Sequence, residues 1–302
     1  METPRADSCI EEAAAPAVRR KRPGPATARA PGHKCGLEWP VPLNTFDEHT
    51  VVRASRWFAQ LSRYHRCRVR HLERVPEGPA LLVGNHSGAL NPVDGLFLLA
   101  YYRHFGYRRP VYVLAHDLLF RLPRFGQLLN RLGVLRASRQ QAQRILRSGH
   151  KLLVFPGGEQ DSLRPFRERR RVVLAQRRGF AHLALAEQVP VVPIVSAGSH
   201  ETLVVLHRGA TMGRWLRLPE LMRVEACPLG LAMPWGVMWG PMFALPYVPL
   251  PAKVSIAVGE PLLPAAATAS ATAIYELYNT TERRMQQLME SLYAERRWPV
   301  LG

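Results

Sequence analysis

The chain is predicted to be an α/β protein, with a largely parallel sheet flanked by helices. Two observations carry this expectation. Short, uninterrupted apolar runs alternate with stretches of helical period, and two of those runs end in glycine-bearing turns. Strands that are apolar without alternation are covered on both faces, as in parallel sheets built from β-α-β units.

The first 36 or so residues are rich in Ala, Pro and Arg, carry the run Arg19-Arg20-Lys21-Arg22, and show no apolar period. They are expected to be a disordered basic tail, leaving 37–302 as one α/β domain with helices at both ends. From Val51 the chain has Ala54, Trp57, Phe58, Leu61 and Tyr64 at helical spacing, with Arg53, Arg56 and Arg63 on the other side. Such an amphipathic helix packs on a core or lies on a membrane, and the pattern fits both. Pro79–Gly84 reads as a buried strand, and Asn91-Pro92 opens a helix to His104. Strands are expected at Val111–Ala115, Gly133–Leu135, Lys151–Phe155, Val191–Val195 and Val254–Val258. Helices are expected over Leu118–Leu132, Ser138–Ser148 and Arg171–Gln188, with a last one whose apolar face runs from Ile274 to Leu292.

Composition bounds the function. The 302 residues are 47% apolar, too apolar for a disordered chain, and Lys+Arg 41 against Asp+Glu 23 gives a net charge of +18. That balance favours polyanionic partners, among them nucleic acid, phosphorylated metabolites and an anionic membrane face. The basic residues do not gather on one helix and no zinc, RRM or KH pattern appears, so no nucleic-acid partner is expected. Cys9, Cys35, Cys67 and Cys227 are scattered, which fits a reduced, cytosolic setting, and no metal site is expected. The N-terminus has no continuous apolar run of the secretory type.

Between Glu225 and Lys253 there is no charged residue, and the stretch carries Met233, Trp235, Met238, Trp239, Met242, Phe243 and Tyr247. Its six prolines forbid a regular spanning helix. An irregular apolar surface at a membrane interface is expected, with a buried Pro-rich loop as the alternative.

The chemistry concentrates in two turns. Asn85-His86-Ser87-Gly88 follows a buried strand and precedes the helix that contains Asp94. Open α/β sheets place ligands at the carboxyl ends of their strands, where a histidine can act as general base and a carboxylate can orient its other nitrogen. The second turn, Pro156-Gly157-Gly158-Glu159, follows KLLVF and precedes Arg164; glycines there let backbone N–H groups approach an anion.

With these turns and the strand Val192-Pro193-Ile194-Val195, the chain resembles the glycerolipid and lysophospholipid acyltransferases over roughly residues 50–260, most of all their diacylglycerol-acyltransferase-like branch. The family's first motif is a histidine followed after four residues by an aspartate. Asn85-His86 matches it, Asn91 stands five residues after the histidine, and the first aspartate is Asp94, so both remain open for that position. Gly133-Val134-Leu135-Arg136 is similar to the second motif and Phe155-Pro156-Gly157-Gly158 to the third. The resemblance implies His86 as general base, held by Asp94, with Asn85, Ser87, Gly88, Arg136, Pro156, Gly157, Gly158, Glu159 and Arg164 binding substrate. It implies an acyl thioester on coenzyme A or an acyl carrier protein as donor, a lipid acceptor, no further cofactor, and a peripheral position on an anionic membrane, on its cytoplasmic side. Two other readings are a catalytically inactive lipid-binding relative and a serine hydrolase using Ser87 or Ser196, although no G-x-S-x-G elbow is present.

Overall fold

The computed structural model describes residues 42–88, 91–215, 227–265 and 268–298; the expected tail over 1–36 lies outside them. The chain divides between Gly36 and Leu37, and all described residues belong to the second unit. In it, helix α1 (Glu48–Tyr64) begins at Asp47, whose carboxylate accepts the His49 and Thr50 N–H groups. A short strand β1 (Arg68–Arg70) precedes β2 (Ala80–Gly84), and α2 (Gly95–Phe105) follows a 3-10 turn over Pro92–Asp94. Next come β3 (Val111–Ala115), α3 (Pro123–Arg131), β4 (Val134–Arg136), α4 (Arg139–Arg147) and β5 (Lys151–Val154). The short α5 (Gly158–Ser162) leads through a loop to α6 (Gly179–Glu187) and β6 (Val191–Ala197). After β7 (Val204–His207) and α7 (Ala210–Trp215) come β8 (Leu229–Ala232), β9 (Gly236–Trp239), β10 (Ser255–Val258) and α8 (Ala271–Ala294).

Seven strands form the main sheet in the order β1-β10-β6-β2-β5-β3-β4. It is parallel except between β10 and β6, so the largely parallel expectation stands, with β1 and β10 running opposite to the other five strands. Strand β2 lies at its centre, every residue buried, and alternate side chains enter opposite cores. Leu81 packs with Leu135, Ile145, Tyr278 and Met285 among α4, α6 and α8; Leu82 packs with Leu96, Tyr101 and Val192 beneath α1 and α2. Helix α1 thus packs on the core through Val51 and Leu61, while Trp57 remains exposed. Among the described residues no helix is long and apolar enough to cross a membrane.

Two expected helices are corrected. The helix over Leu118–Leu132 is broken at Leu122, which is extended (ψ 108°) because Pro123 follows it. The helix over Arg171–Gln188 begins only at Gly179; Ala175 and Gln176 have φ of 55° and 56°, and the Val172 N–H goes to the Gln286 side chain at 2.9 Å. Val172 and Leu174 enter the core from this non-helical strap. The uncharged segment is also more regular than expected. Strands β8 and β9 pair as an antiparallel hairpin, and β7 adds to it as a separate three-stranded sheet.

The end of α8 is fastened to the sheet by a buried ion pair. Arg296 donates to Glu201 at 2.6 and 3.1 Å, both side chains 4% exposed, and Arg169 approaches the same carboxylate at 3.4 Å. Arg296→Ala removes one of two cations facing a carboxylate that cannot reach water, so a loss near the lower end of the ~3–5 kcal/mol for breaking buried pairs is expected in urea unfolding.

Candidate active site

The site is built where β2 and β5 end side by side. Asn85 prolongs the pairing of β2 with β6 through its side chain, which donates to Ser196 O at 3.1 Å and accepts the Ser196 N–H at 2.7 Å. Buried and engaged in this way, Asn85 fixes the strand end, and it lines a small cavity together with Asp94 and Phe155. The next residue, His86, is held from three directions. Its backbone N–H donates to Asp161 Oδ2 at 2.6 Å, its Nδ1 meets Asp94 Oδ2 at 2.5 Å, and its ring stacks on Phe155 with centroids 5.0 Å apart. Ser87 donates its hydroxyl to the other Asp94 oxygen at 2.9 Å, so it braces Asp94 and does not pair with the imidazole. A serine–histidine couple at these two positions is therefore not formed.

Asp94, not Asn91, stands at the ring. Asn91 caps the 3-10 turn by accepting the Val93 N–H at 3.1 Å and donates to the Thr202 hydroxyl at 2.7 Å. Gly88 closes the turn with φ of 68°, and its N–H donates to Ser162 O at 2.9 Å, tying the two turns together. A side chain there would meet the Tyr247 hydroxyl at 2.6 Å and Asn91 Cβ at 2.9 Å.

The second turn carries Pro156, Gly157 and Gly158 directly beside this loop. A Cβ on Gly157 would lie 2.1 Å from Val173 O and 2.4 Å from Asp161 Cβ, so only glycine fits, although its φ of −59° is unstrained. Gly158 (φ 50°) lies under Arg177, whose guanidinium also reaches Pro156 O at 3.4 Å. Glu159 opens the short α5. Asp161, fully buried, joins the turns: one oxygen takes the His86 N–H and the other faces Arg164 at 3.1 Å. Arg164 is itself only 1% exposed, so the expectation that it presents its charge to a substrate is replaced by an inward role in holding Asp161. Arg136 lies at the same carboxyl edge but on the outer strand β4, three strands and ~14 Å from β2, and pairs with Asp117 at 2.5 Å. The structure thus unites His86, Asp94, Ser87, Gly88 and the Gly157–Gly158 turn, and sets Arg136 apart.

Electrostatics favour a charged ring. Burial opposes protonation of His86, but Asp94 and then Asp161 outweigh it and raise its pKa above the usual 6.5. Burial pushes Asp161 up to about 6 against the pull of Arg164 and the His86 N–H. His200, whose Nε2 is 4.0 Å from Asp161, falls well below 6.5 because burial and the neighbouring Arg164 and His86 charges disfavour its protonation. Among the described residues no hydrogen bond reaches His86 Nε2, and the side chain is 26% exposed. The arrangement is an imidazole oriented by a carboxylate, with one nitrogen open at the carboxyl edge of the central strand.

Asp161, Phe155 and Tyr247 join the site only through the fold. Asp161 carried one signal, an acid three residues before an arginine inside the glycine turn.

Residues 66–197 match the Acyltransferase family model. An uncharacterized protein of Mycobacterium tuberculosis is 34% identical over 261 residues, which span 83% of this chain and 69% of that protein. The human DGAT1/2-independent enzyme synthesizing storage lipids is 34% identical over 175 residues, 57% of this chain and 52% of that enzyme. The crystal structure of the 1-acyl-sn-glycerophosphate acyltransferase PlsC of Thermotoga maritima has the same fold, with a TM-score of 0.50 and 21% identity over 83% of this chain and 79% of that one. The motifs, the sheet that presents them and these relatives agree, and the chain belongs to the glycerolipid acyltransferase family.

Proposed function

We propose that His86 is the general base in transfer of an acyl group from an acyl thioester, carried on coenzyme A or an acyl carrier protein, to a hydroxyl of a glycerolipid or lysophospholipid. The observation that carries this reading is the His86–Asp94 pair with Nε2 left open. The acceptor hydroxyl gives its proton to Nε2 as its oxygen attacks the thioester carbonyl. Collapse of the tetrahedral adduct breaks the C–S bond, and the departing sulfur takes the proton back from the imidazolium. Asp94 stabilises that imidazolium, and no covalent acyl-enzyme forms. Residues of the Gly157–Gly158 turn border the adduct. In this reading the protein works at a membrane surface on its cytoplasmic side, meeting its acceptor there.

The test is turnover of a labelled acyl thioester against lysophosphatidate, other lysophospholipids, and mono- and diacylglycerols; no product with any of them would overturn the reading. The pH profile is a second check. Only the neutral imidazole accepts a proton, and Asp94 raises the pKa, so kcat/KM should climb with pH through a midpoint above 6.5. Asp94→Asn removes the anion and should move that midpoint downward.

A further inference from the structure

We infer that the outer face of the β7–β8–β9 sheet seats this chain on an anionic lipid bilayer, an inference that rests on the proposed lipid acceptor and names the surface that meets it. The sheet is two-sided in an unusual sense, being apolar on both faces except for the exposed His207, which pairs with Leu229. Val205, Ala232 and Met238 point inward onto Leu163 and Phe243. The paired residues Leu229 with Trp239, and Leu231 with Val237, share the opposite face, with Val237 60% and Trp239 54% exposed. Beyond the hairpin end, Met233, Trp235 and Val248 continue the exposed surface. A solvated sheet face normally alternates to polar residues, and contiguous exposed apolar surface marks an interaction site.

Three observations identify a bilayer as the occupant. The segment between Glu225 and Lys253 carries no charge, and its tryptophans belong to the residue type that sits at headgroup level. Its flank is basic: Lys253 lies in the field of Arg66 and Arg68, which complements anionic headgroups. The inner face is continuous with the site, since Leu163 follows the glycine turn, and Tyr247 brings its hydroxyl to Gly88 beside Asp94. A sheet lying on the interface would hold the loop of Tyr247, and with it the Gly88 turn, near lipid without any spanning element. Backbone groups of β8 are paired on both sides, so the face can meet acyl chains without unpaired N–H groups there.

The test uses the full chain, with Val237→Asp/Trp239→Ser as the variant, and vesicles of phosphatidylcholine with or without phosphatidylglycerol. Wild type should float with the anionic vesicles and the double variant should bind them at least tenfold more weakly. Its melting temperature and its turnover of a water-soluble short-chain thioester and acceptor should match wild type. Equal vesicle binding by the variant, or none by wild type, overturns the inference. So does a change from dimer to monomer in the variant, which would mean that a second copy covers this face. Vesicle binding that is lost in the variant, with no acyl transfer by wild type to any acceptor, supports the seat and overturns the enzymatic reading.

Discussion

Replacing His86 by alanine should lower acyl transfer by about 10²–10⁴-fold while leaving the fold in place, the range typical of removing a positioned general base. The substitution is clean because His86 has two separable attachments. Its backbone N–H, which anchors the loop on Asp161, survives in the alanine variant; its ring, which contacts Asp94 and Phe155, does not. Loss of the ring leaves Asp94 still bonded to the Ser87 hydroxyl, so the carboxylate is not stranded. The measurement is kcat/KM with a labelled thioester, alongside thermal unfolding. A variant that unfolds like wild type and retains its rate removes His86 from the mechanism. Asp94→Asn is the companion, keeping size and the hydrogen bond from Ser87 while losing the charge that favours the imidazolium. It should lose rate in the same direction with a smaller change in stability.

How much of this was legible in the sequence follows from which contacts are local. His86, Asn91, Pro92 and Asp94 share one short segment whose cap and helix start are written in residue types, so their proximity could be read directly. The aspartate role is settled only by the fold, because Asn91 and Asp94 both suit the position; Asp94 meets the ring while Asn91 bonds to Thr202. Arg164 departs from its expected role because an arginine near a glycine turn is chemically suited to a phosphate, and only burial shows that it turns inward. The strap over Val172–Arg178 has helical apolar spacing, but tertiary contacts with α8 hold it out of a helix. The β8–β9 hairpin is not legible in the sequence because both its faces are apolar, which erases the alternation that usually announces a strand.

Asp161→Ala is expected to damage both stability and rate, and the two losses can be separated. The carboxylate is fully buried between the His86 N–H and the Arg164 guanidinium, so its removal strands a buried cation and a buried donor together. A loss of about 3–5 kcal/mol in urea unfolding is expected, the cost of breaking a buried ion pair from one side. Adding Arg164→Met removes the stranded charge and replaces it with a flexible apolar side chain, which should restore most of that stability. Rate should not return with it. The backbone of His86 would still lack its anchor, and a displacement near 1 Å in a reacting group is enough for a loss on the order of 10²-fold. A double variant that is stable yet slow makes Asp161 a positioning residue acting through His86. If the double variant regains both stability and rate, the carboxylate serves packing alone, and the placement of the imidazole rests on Asp94 and Phe155.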